Sequence, residues 1–180
     1  MYLFLDIDGV MNSHKTWQLY GHSFEDSLDR DHRLDPTAVR FISLLARKGV
    51  KIVITSIWKN NKELDELKWM FDFPVHDKTE TYPWADCSRG DEIYLYLLQN
   101  RPAEKFCIVD DDPVFKDMNY RVYRKDLEKV LVNTDYSDGL QLKHMEAICE
   151  HLGFEFSTLL TEGEKETKVD IPVREDIQFT

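Results

Sequence analysis

Short apolar runs recur along the chain, and each ends in a cluster of polar residues. Met1 to Leu5 is the first and runs into Asp6-Ile7-Asp8-Gly9-Val10. Ile52-Val53-Ile54, led by Lys51, is the second and ends at Thr55-Ser56. Phe106-Cys107-Ile108-Val109 is the third and ends at Asp110-Asp111-Asp112. Val130-Leu131-Val132 is a further one, and Phe73-Pro74-Val75 reads as a short strand. Unbroken apolar runs of this length fit strands covered on both faces. Segments with helical spacing lie between them. Asp35-Pro36 reads as an N-cap followed by proline at the first helical position, and Val39, Ile42, Leu45 and Ala46 share one face before Gly49 stops the helix. Further helices are expected from about Lys62 to Phe71, from Gly90 to Leu98, and from Leu140 to Leu152, the last closed by Gly153. Residues 11–34 lack a period and read as an irregular flap or hairpin, and 76–88 as loop. Strands alternating with helices predict an α/β fold of parallel strands joined by helical crossovers.

Residues 1–153 form the expected core. The tail, 154–180, reads as an acidic extension, with the alternation at Val169, Ile171 and Val173 suggesting one edge strand. A chain of 180 residues is one domain with room to bury a sizeable core. The net charge of −11 argues against long duplex nucleic acid and against a basic membrane-surface helix, though not against a local basic pocket. No apolar run approaches the ~18 residues of a membrane span. The N-terminus lacks the basic segment of a secretory signal. The three cysteines, Cys87, Cys107 and Cys149, form no CxxC pair and fit a reducing, cytoplasmic setting.

The polar clusters carry the chemistry. In an open parallel sheet, ligands bind beyond the carboxyl ends of the strands. Asp6, Asp8, Asp110 and Asp111 are then gathered with the hydroxyls of Thr55 and Ser56 along one edge. Carboxylates so close repel unless a cation joins them, and oxygen ligands without His or Cys favour Mg²⁺. Such an ion completes its shell with water and a substrate phosphate. His14, His22 and His32 lack ligand spacing and read as solvated loop histidines.

Leu3 to Val10, LFLDIDGV, resembles the first motif of the haloacid dehalogenase (HAD) superfamily. Thr55 after its apolar run resembles the second motif, Arg89 opening a helix resembles the third, and Ile108-Val109-Asp110-Asp111 resembles the fourth. The stretches LDIDGV, VITSIWK, SRGDEI, VDDD and DGLQLKH are similar to the HAD domains of "Swiss Army knife" RNA-repair proteins. This resemblance implies a three-layer Rossmann-like parallel sheet with helices on both faces. It implies Asp6 as nucleophile and Asp8 as general acid, then base. Mg²⁺ would be held by the carboxylates of Asp6 and Asp111 and the carbonyl of Asp8, with Asp110 in support. Thr55 and Arg89 would hold the phosphoryl group. Arg stands where Lys is commoner, so Lys59 and Lys78 are rivals for that cation. Ser56 competes with Thr55, and Asp112 with Asp117 offers a spaced form of the fourth motif.

Ser56, Gly9 and the flap residues Trp17 and Tyr20 are candidates for contacting substrate. Trp58 reads equally as core or as a stacking ring. HAD enzymes often insert a cap, but residues 11–34 are too few for an independent core, which predicts a capless, open site. The expected activity is a Mg²⁺-dependent phosphomonoester hydrolase acting on a nucleotide or a nucleic-acid terminal phosphate. The alternatives are a non-catalytic binding module and a phosphotransferase using the same aspartate.

Overall fold

The computed structural model describes residues 1–20, 34–82, 87–100, 105–112, 115, 119–159 and 161, with the backbone alone of 20 and 121–123. Five parallel strands form one sheet: β1 (Tyr2–Leu5), β2 (Lys51–Ile54), β3 (Asp77–Lys78), β4 (Phe106–Asp110) and β5 (Leu131–Asn133), in the order β3-β2-β1-β4-β5. The helices are α1 (His14–Tyr20), α2 (Pro36–Arg47), α3 (Leu64–Met70), α4 (Arg89–Asn100), α5 (Arg121–Glu128) and α6 (Leu142–Leu152). A 3₁₀ turn at Ile57–Lys59 follows β2. Among the described residues, no helix is long and apolar enough to cross a membrane.

Strand periodicity makes two cores out of one sheet. Leu3, Leu5, Ile52, Ile54, Cys107 and Val109 face α2, α3 and α6. Tyr2, Phe4, Val53 and Ile108 face the other way, toward α4 and Leu127 of α5. Leu3, Phe4 and Leu5 of the central strand are entirely buried, each adding roughly 1.5–3 kcal/mol to stability. This is a Rossmann-like α/β sandwich of helix, sheet and helix.

The start of α2 follows its sequence. The Asp35 carboxylate accepts hydrogen bonds from the amides of Thr37 and Ala38, and Pro36 takes the first helical position. Gly49 and Gly153 adopt left-handed φ values of 84° and 83° just beyond α2 and α6, where a Cβ would strain the backbone.

Three features depart from the sequence reading. Residues 14–20 of the aperiodic flap form helix α1, docked through hydrogen bonds from the amides of His14 and Lys15 to the carbonyls of Tyr136 and Ser137. The edge strand β3 lies at Asp77–Lys78 rather than at Phe73–Val75, because Phe73 and Val75 fill the core. The polar Asp77 is accommodated there by the hydroxyl of Tyr96, which donates to it at 2.8 Å. Helix α5 has no counterpart among the expected elements. Five of its eight residues are charged, and of its described side chains only Leu127 is buried.

Beyond Gly153, Phe154, Phe156 and the buried Leu159 pack against the main core. Residues 162–180, with the Glu162–Glu166 stretch and the Val169–Val173 alternation, lie outside the described residues.

Helix α6 carries a pH-sensitive cap. His144 Nδ1 accepts a hydrogen bond from the Gln141 amide at 3.1 Å, which requires the unprotonated ring. Burial holds its pKa below the ordinary imidazole value, with Lys143 pulling the same way. A histidine depressed in the folded state contributes stability above its unfolded pKa of about 6.5, lost as pH falls below it. Urea unfolding should therefore show the wild type losing more stability than His144→Gln between about pH 7.5 and about pH 5, since Gln keeps an acceptor that does not titrate there.

Candidate active site

The strand order reverses beside β1, and the crevice at this switch point opens beyond the carboxyl ends of β1 and β4. There the chain places Asp6 and Asp8 after β1, Thr55 and Ser56 after β2, and Asp110 and Asp111 at and after the end of β4. Backbone hydrogen bonds fix the first two loops: Asp6 N–H to the Val109 carbonyl at 3.0 Å, and Thr55 N–H to the Leu5 carbonyl at 2.9 Å. Ligand atoms of Asp6, Asp110 and Asp111 lie within 4.8 Å of one another.

Asp6 and Asp110 are buried, so bringing them together is costly unless their charge is answered. Arg89 answers it. Its Nη1 lies 2.9 Å from Asp6 Oδ2 and 2.5 Å from Asp110 Oδ2. The remaining Asp110 oxygen accepts from the Asp112 amide at 3.0 Å. Burial, and then the Asp6 charge, push Asp110 up to about 7, against the pull of Arg89. Burial also raises Asp6, with the Arg89 guanidinium and the Ser56 hydroxyl drawing it back. Asp111 is raised by burial and by the charge of Asp6. Although burial opposes its charge, Arg89 is held above its ordinary pKa by the two carboxylates it joins.

The first turn of α4 places Arg89. Ser88 Oγ accepts from the Asp91 amide, and Asp91 Oδ2 accepts from the Ser88 amide, which is a reciprocal cap. Asp91 also accepts from the amides of Asn119 and Tyr120, tying the head of α4 to the approach to α5.

The rival cations are engaged elsewhere. Lys59 is buried, with Nζ 2.9 Å from Glu92 Oε2 and 3.3 Å from the Thr55 carbonyl. Lys78 Nζ donates to the Lys62 carbonyl. Asp112 is exposed, and Asp117 lies outside the described residues.

Asp6 Oδ1 and Thr55 Oγ1 are both buried, and neither has a hydrogen-bond partner among the described residues. Buried polar atoms are rarely left so, and such a pair at a sheet edge is what a ligand-binding centre presents. The oxygen-only donor set of Asp6, Asp110 and Asp111 fits a hard divalent cation, Mg²⁺ above all. Gly9 is what lets this set close. It has a φ of 70°, and a Cβ there would come within 2.1 Å of Asp111 Oδ2.

Asp8 stands outside the carboxylate cluster. Its Oδ1 accepts from Asn12 Nδ2 at 2.9 Å and its Oδ2 from Trp58 Nε1 at 2.8 Å. Ser56 is fully buried; its hydroxyl caps the 3₁₀ turn by accepting from the Trp58 amide at 3.4 Å.

At the rim, the exposed His14, the half-buried Trp17 and the exposed Tyr136 pack edge to face, with centroids 4.7 Å (His14–Tyr136), 5.4 Å (His14–Trp17) and 5.6 Å (Trp17–Tyr136) apart. Burial raises the Tyr136 hydroxyl's pKa, and so do the charges of Asp8 and Asp111. The side chain of Tyr20, and His22 and His32, lie outside the described residues.

Sequence reasoning did not find Asn12, Tyr136 or the Asp8 contact of Trp58. Asn12 gives no signal in a single sequence. Trp58, three residues after Thr55, offered only its position in VITSIWK.

No curated protein and no solved structure matches the chain. The model of one family, described as the HAD domain in Swiss Army Knife RNA repair proteins, matches residues 2–145 of the 180. The motif residues Asp6, Asp8, Thr55, Arg89, Asp110 and Asp111 all fall within that span, and the chain belongs to this family of HAD domains.

Proposed function

We propose that the protein is a Mg²⁺-dependent phosphomonoester hydrolase that works through an aspartyl-phosphate on Asp6, with a nucleotide or the terminal phosphate of a nucleic acid as substrate. The observation that carries this reading is the buried Asp6 Oδ1, without a hydrogen-bond partner among the described residues, in a carboxyl group gripped by Arg89 and neighboured by Asp110 and Asp111.

The carboxylates of Asp6 and Asp111 and the carbonyl of Asp8 would hold the ion, with Asp110 in support. Bound there, Mg²⁺ supplies charge neutralisation for the carboxylates and the phosphoryl oxygens. An Asp6 oxygen attacks phosphorus as the bond to the leaving oxygen breaks. Asp8 gives its proton to that leaving oxygen. Water then attacks phosphorus and releases the Asp6 carboxylate, while Asp8 takes a proton from the water. Thr55 Oγ1 donates a hydrogen bond to a phosphoryl oxygen, and Arg89 favours the ionised form of Asp6 and offsets the charge of the transferring group. Phosphoryl transfer needs positioning and electrostatics above all, which these residues supply.

The substrate assignment rests on the rim. His14 and Trp17, on the helix that follows the Asp8 turn, pack with Tyr136, which feels the charges of Asp8 and Asp111, and offer aromatic surface suited to a base linked to the phosphate. The net charge of −11 favours a mononucleotide or a chain end over long duplex. Cys107 and Cys149 are buried thiols, which suits a reducing cytoplasm.

The test is hydrolysis of nucleoside monophosphates, 3′- and 5′-phosphorylated oligonucleotides and sugar phosphates, with Mg²⁺ and with EDTA. Nucleotides or oligonucleotide ends should be preferred by about tenfold or more in kcat/KM, the worth of one stacked base, and EDTA should abolish turnover. Activity confined to sugar phosphates overturns the substrate assignment. No hydrolysis of any phosphomonoester points to a binding module, and phosphate passed to an alcohol instead of water points to a phosphotransferase.

A further inference from the structure

Asp8 is held by two donors that neither the metal cluster nor the substrate requires. Trp58 comes from the 3₁₀ turn after β2, fifty residues along the chain, and its indole N–H reaches Asp8 Oδ2 at 2.8 Å. The direction of that N–H is set by packing. The Trp58 ring stacks on Phe71 at 6.1 Å and 17° between planes, and Phe71 stacks on Phe73 at 5.0 Å and 15°. Phe71 and Phe73 are core residues, so the indole is the outer member of a three-ring stack rooted in the fold. Rings held this way have little freedom to turn.

Asn12 closes on the other side. Its Nδ2 donates to Asp8 Oδ1 at 2.9 Å, and its carbonyl accepts from the Gly9 amide at 2.8 Å, clasping the tight turn that carries Asp8. The amide oxygen of Asn12 is buried with no partner among the described residues. An apolar residue of similar size would avoid that cost, so the Asp8 contact is what the amide provides in return.

We propose that Trp58 and Asn12 are positioning residues that set the orientation of the Asp8 carboxyl for proton exchange with the leaving oxygen and with water. The inference rests on the reading of Asp8 as acid and base. Each carboxyl oxygen uses one lone pair for its N–H donor and keeps another. The proton that Asp8 gives up as the phosphorus–oxygen bond breaks, and recovers from water in the second step, therefore occupies a site in a carboxyl plane fixed from both ends. Sequence-distant support of this kind keeps a reacting group within the small angular range that proton transfer tolerates.

The experiment compares two substrates with the same phosphoryl group. A p-nitrophenyl ester leaves without help from an acid, and a simple alkyl ester needs the proton. Trp58→Phe keeps an aromatic ring against Phe71 and removes the N–H together with the second ring of the indole. Asn12→Ala removes the other donor independently, which covers the case in which one variant does not fold. Each should lower kcat/KM, which reports the step in which the leaving oxygen departs and not hydrolysis of the aspartyl-phosphate both esters share, about tenfold more on the alkyl ester than on the aryl ester, a fraction of the full general-acid effect. Asp8→Asn should show the same bias more strongly, and adding Trp58→Phe to it should cost nothing further. Trp58→His, which restores a ring N–H, should recover part of the loss. Equal losses on both esters, or full additivity with Asp8→Asn, overturn the bracing role. If Asp8→Asn itself shows no leaving-group bias, the acid–base reading falls and the bracing falls with it. A biased Asp8→Asn beside unbiased Trp58→Phe and Asn12→Ala overturns the bracing alone.

Discussion

Asp6→Asn is expected to lower turnover of any phosphomonoester by on the order of 10⁴-fold or more, the scale on which removal of a covalent nucleophile is felt. The substitution changes one atom. On the proposed mechanism Asp6 Oδ1, buried and without a hydrogen-bond partner among the described residues, is the oxygen that attacks phosphorus, and a neutral amide offers no comparable nucleophile there. The variant should also remain folded. Burial and the neighbouring Asp8 charge already disfavour an ionised Asp6, and Asp110 and Asp111 each feel its charge as a penalty. Neutralising it removes repulsion while keeping the shape. Thermal unfolding should show a metal-free melting point at or above that of the wild type, so lost activity cannot be ascribed to lost structure. A variant retaining wild-type turnover would exclude Asp6 as the nucleophile.

Arg89→Ala should have the largest effect on stability. The guanidinium joins two buried carboxylates, at 2.9 Å from Asp6 and 2.5 Å from Asp110. Deleting one partner of a buried ion pair leaves charge without an answer, at a cost of about 3 kcal/mol or more. Here two carboxylates lose the same partner, and Asp110, already pushed up to about 7, rises further as the counter-charge goes. The variant should lose that stability in urea unfolding without metal. Asp110→Asn on the same background should restore part of it by removing one of the stranded charges. Activity should fall as well, because Arg89 offsets charge on the phosphoryl group. Arg89→Lys should recover part of both properties, since one nitrogen, Nη1, makes both contacts and an ammonium also presents one nitrogen with several donors. A stability change within about 0.5 kcal/mol in Arg89→Ala would contradict this account.

The parts of the molecule readable from sequence are those in which local pattern and burial agree. β1, β2 and β4 are apolar because both faces are covered, and their polar successors fall at one sheet edge because all the strands are parallel. This places Asp6, Thr55, Asp110 and Asp111 before any geometry is known. Arg89 was one of three candidate cations, and separating it from Lys59 and Lys78 requires knowing that Lys59 is committed to Glu92 and Lys78 to a backbone carbonyl. These are tertiary facts with no trace in local spacing. β3 was misplaced by a few residues because its half-buried Asp77 owes its position to Tyr96, nineteen residues away. α5 was missed because five of its eight residues are charged and no capping side chain marks its start. Trp58 was ambiguous for a different reason. Its ring belongs to the core and its N–H to the site, and only the geometry assigns both.

The central claim is covalent: phosphate passes through the carboxylate of Asp6. An acyl phosphate is reduced by borohydride to an alcohol, converting the aspartate to homoserine. The decisive measurement is therefore to quench the enzyme in mid-turnover with Mg²⁺ and substrate, reduce it, and locate the modified residue by peptide mass spectrometry. Homoserine at position 6, absent without substrate and absent from Asp6→Asn, is the predicted result. Homoserine at another acid, or none in an enzyme quenched during rapid turnover, would contradict it.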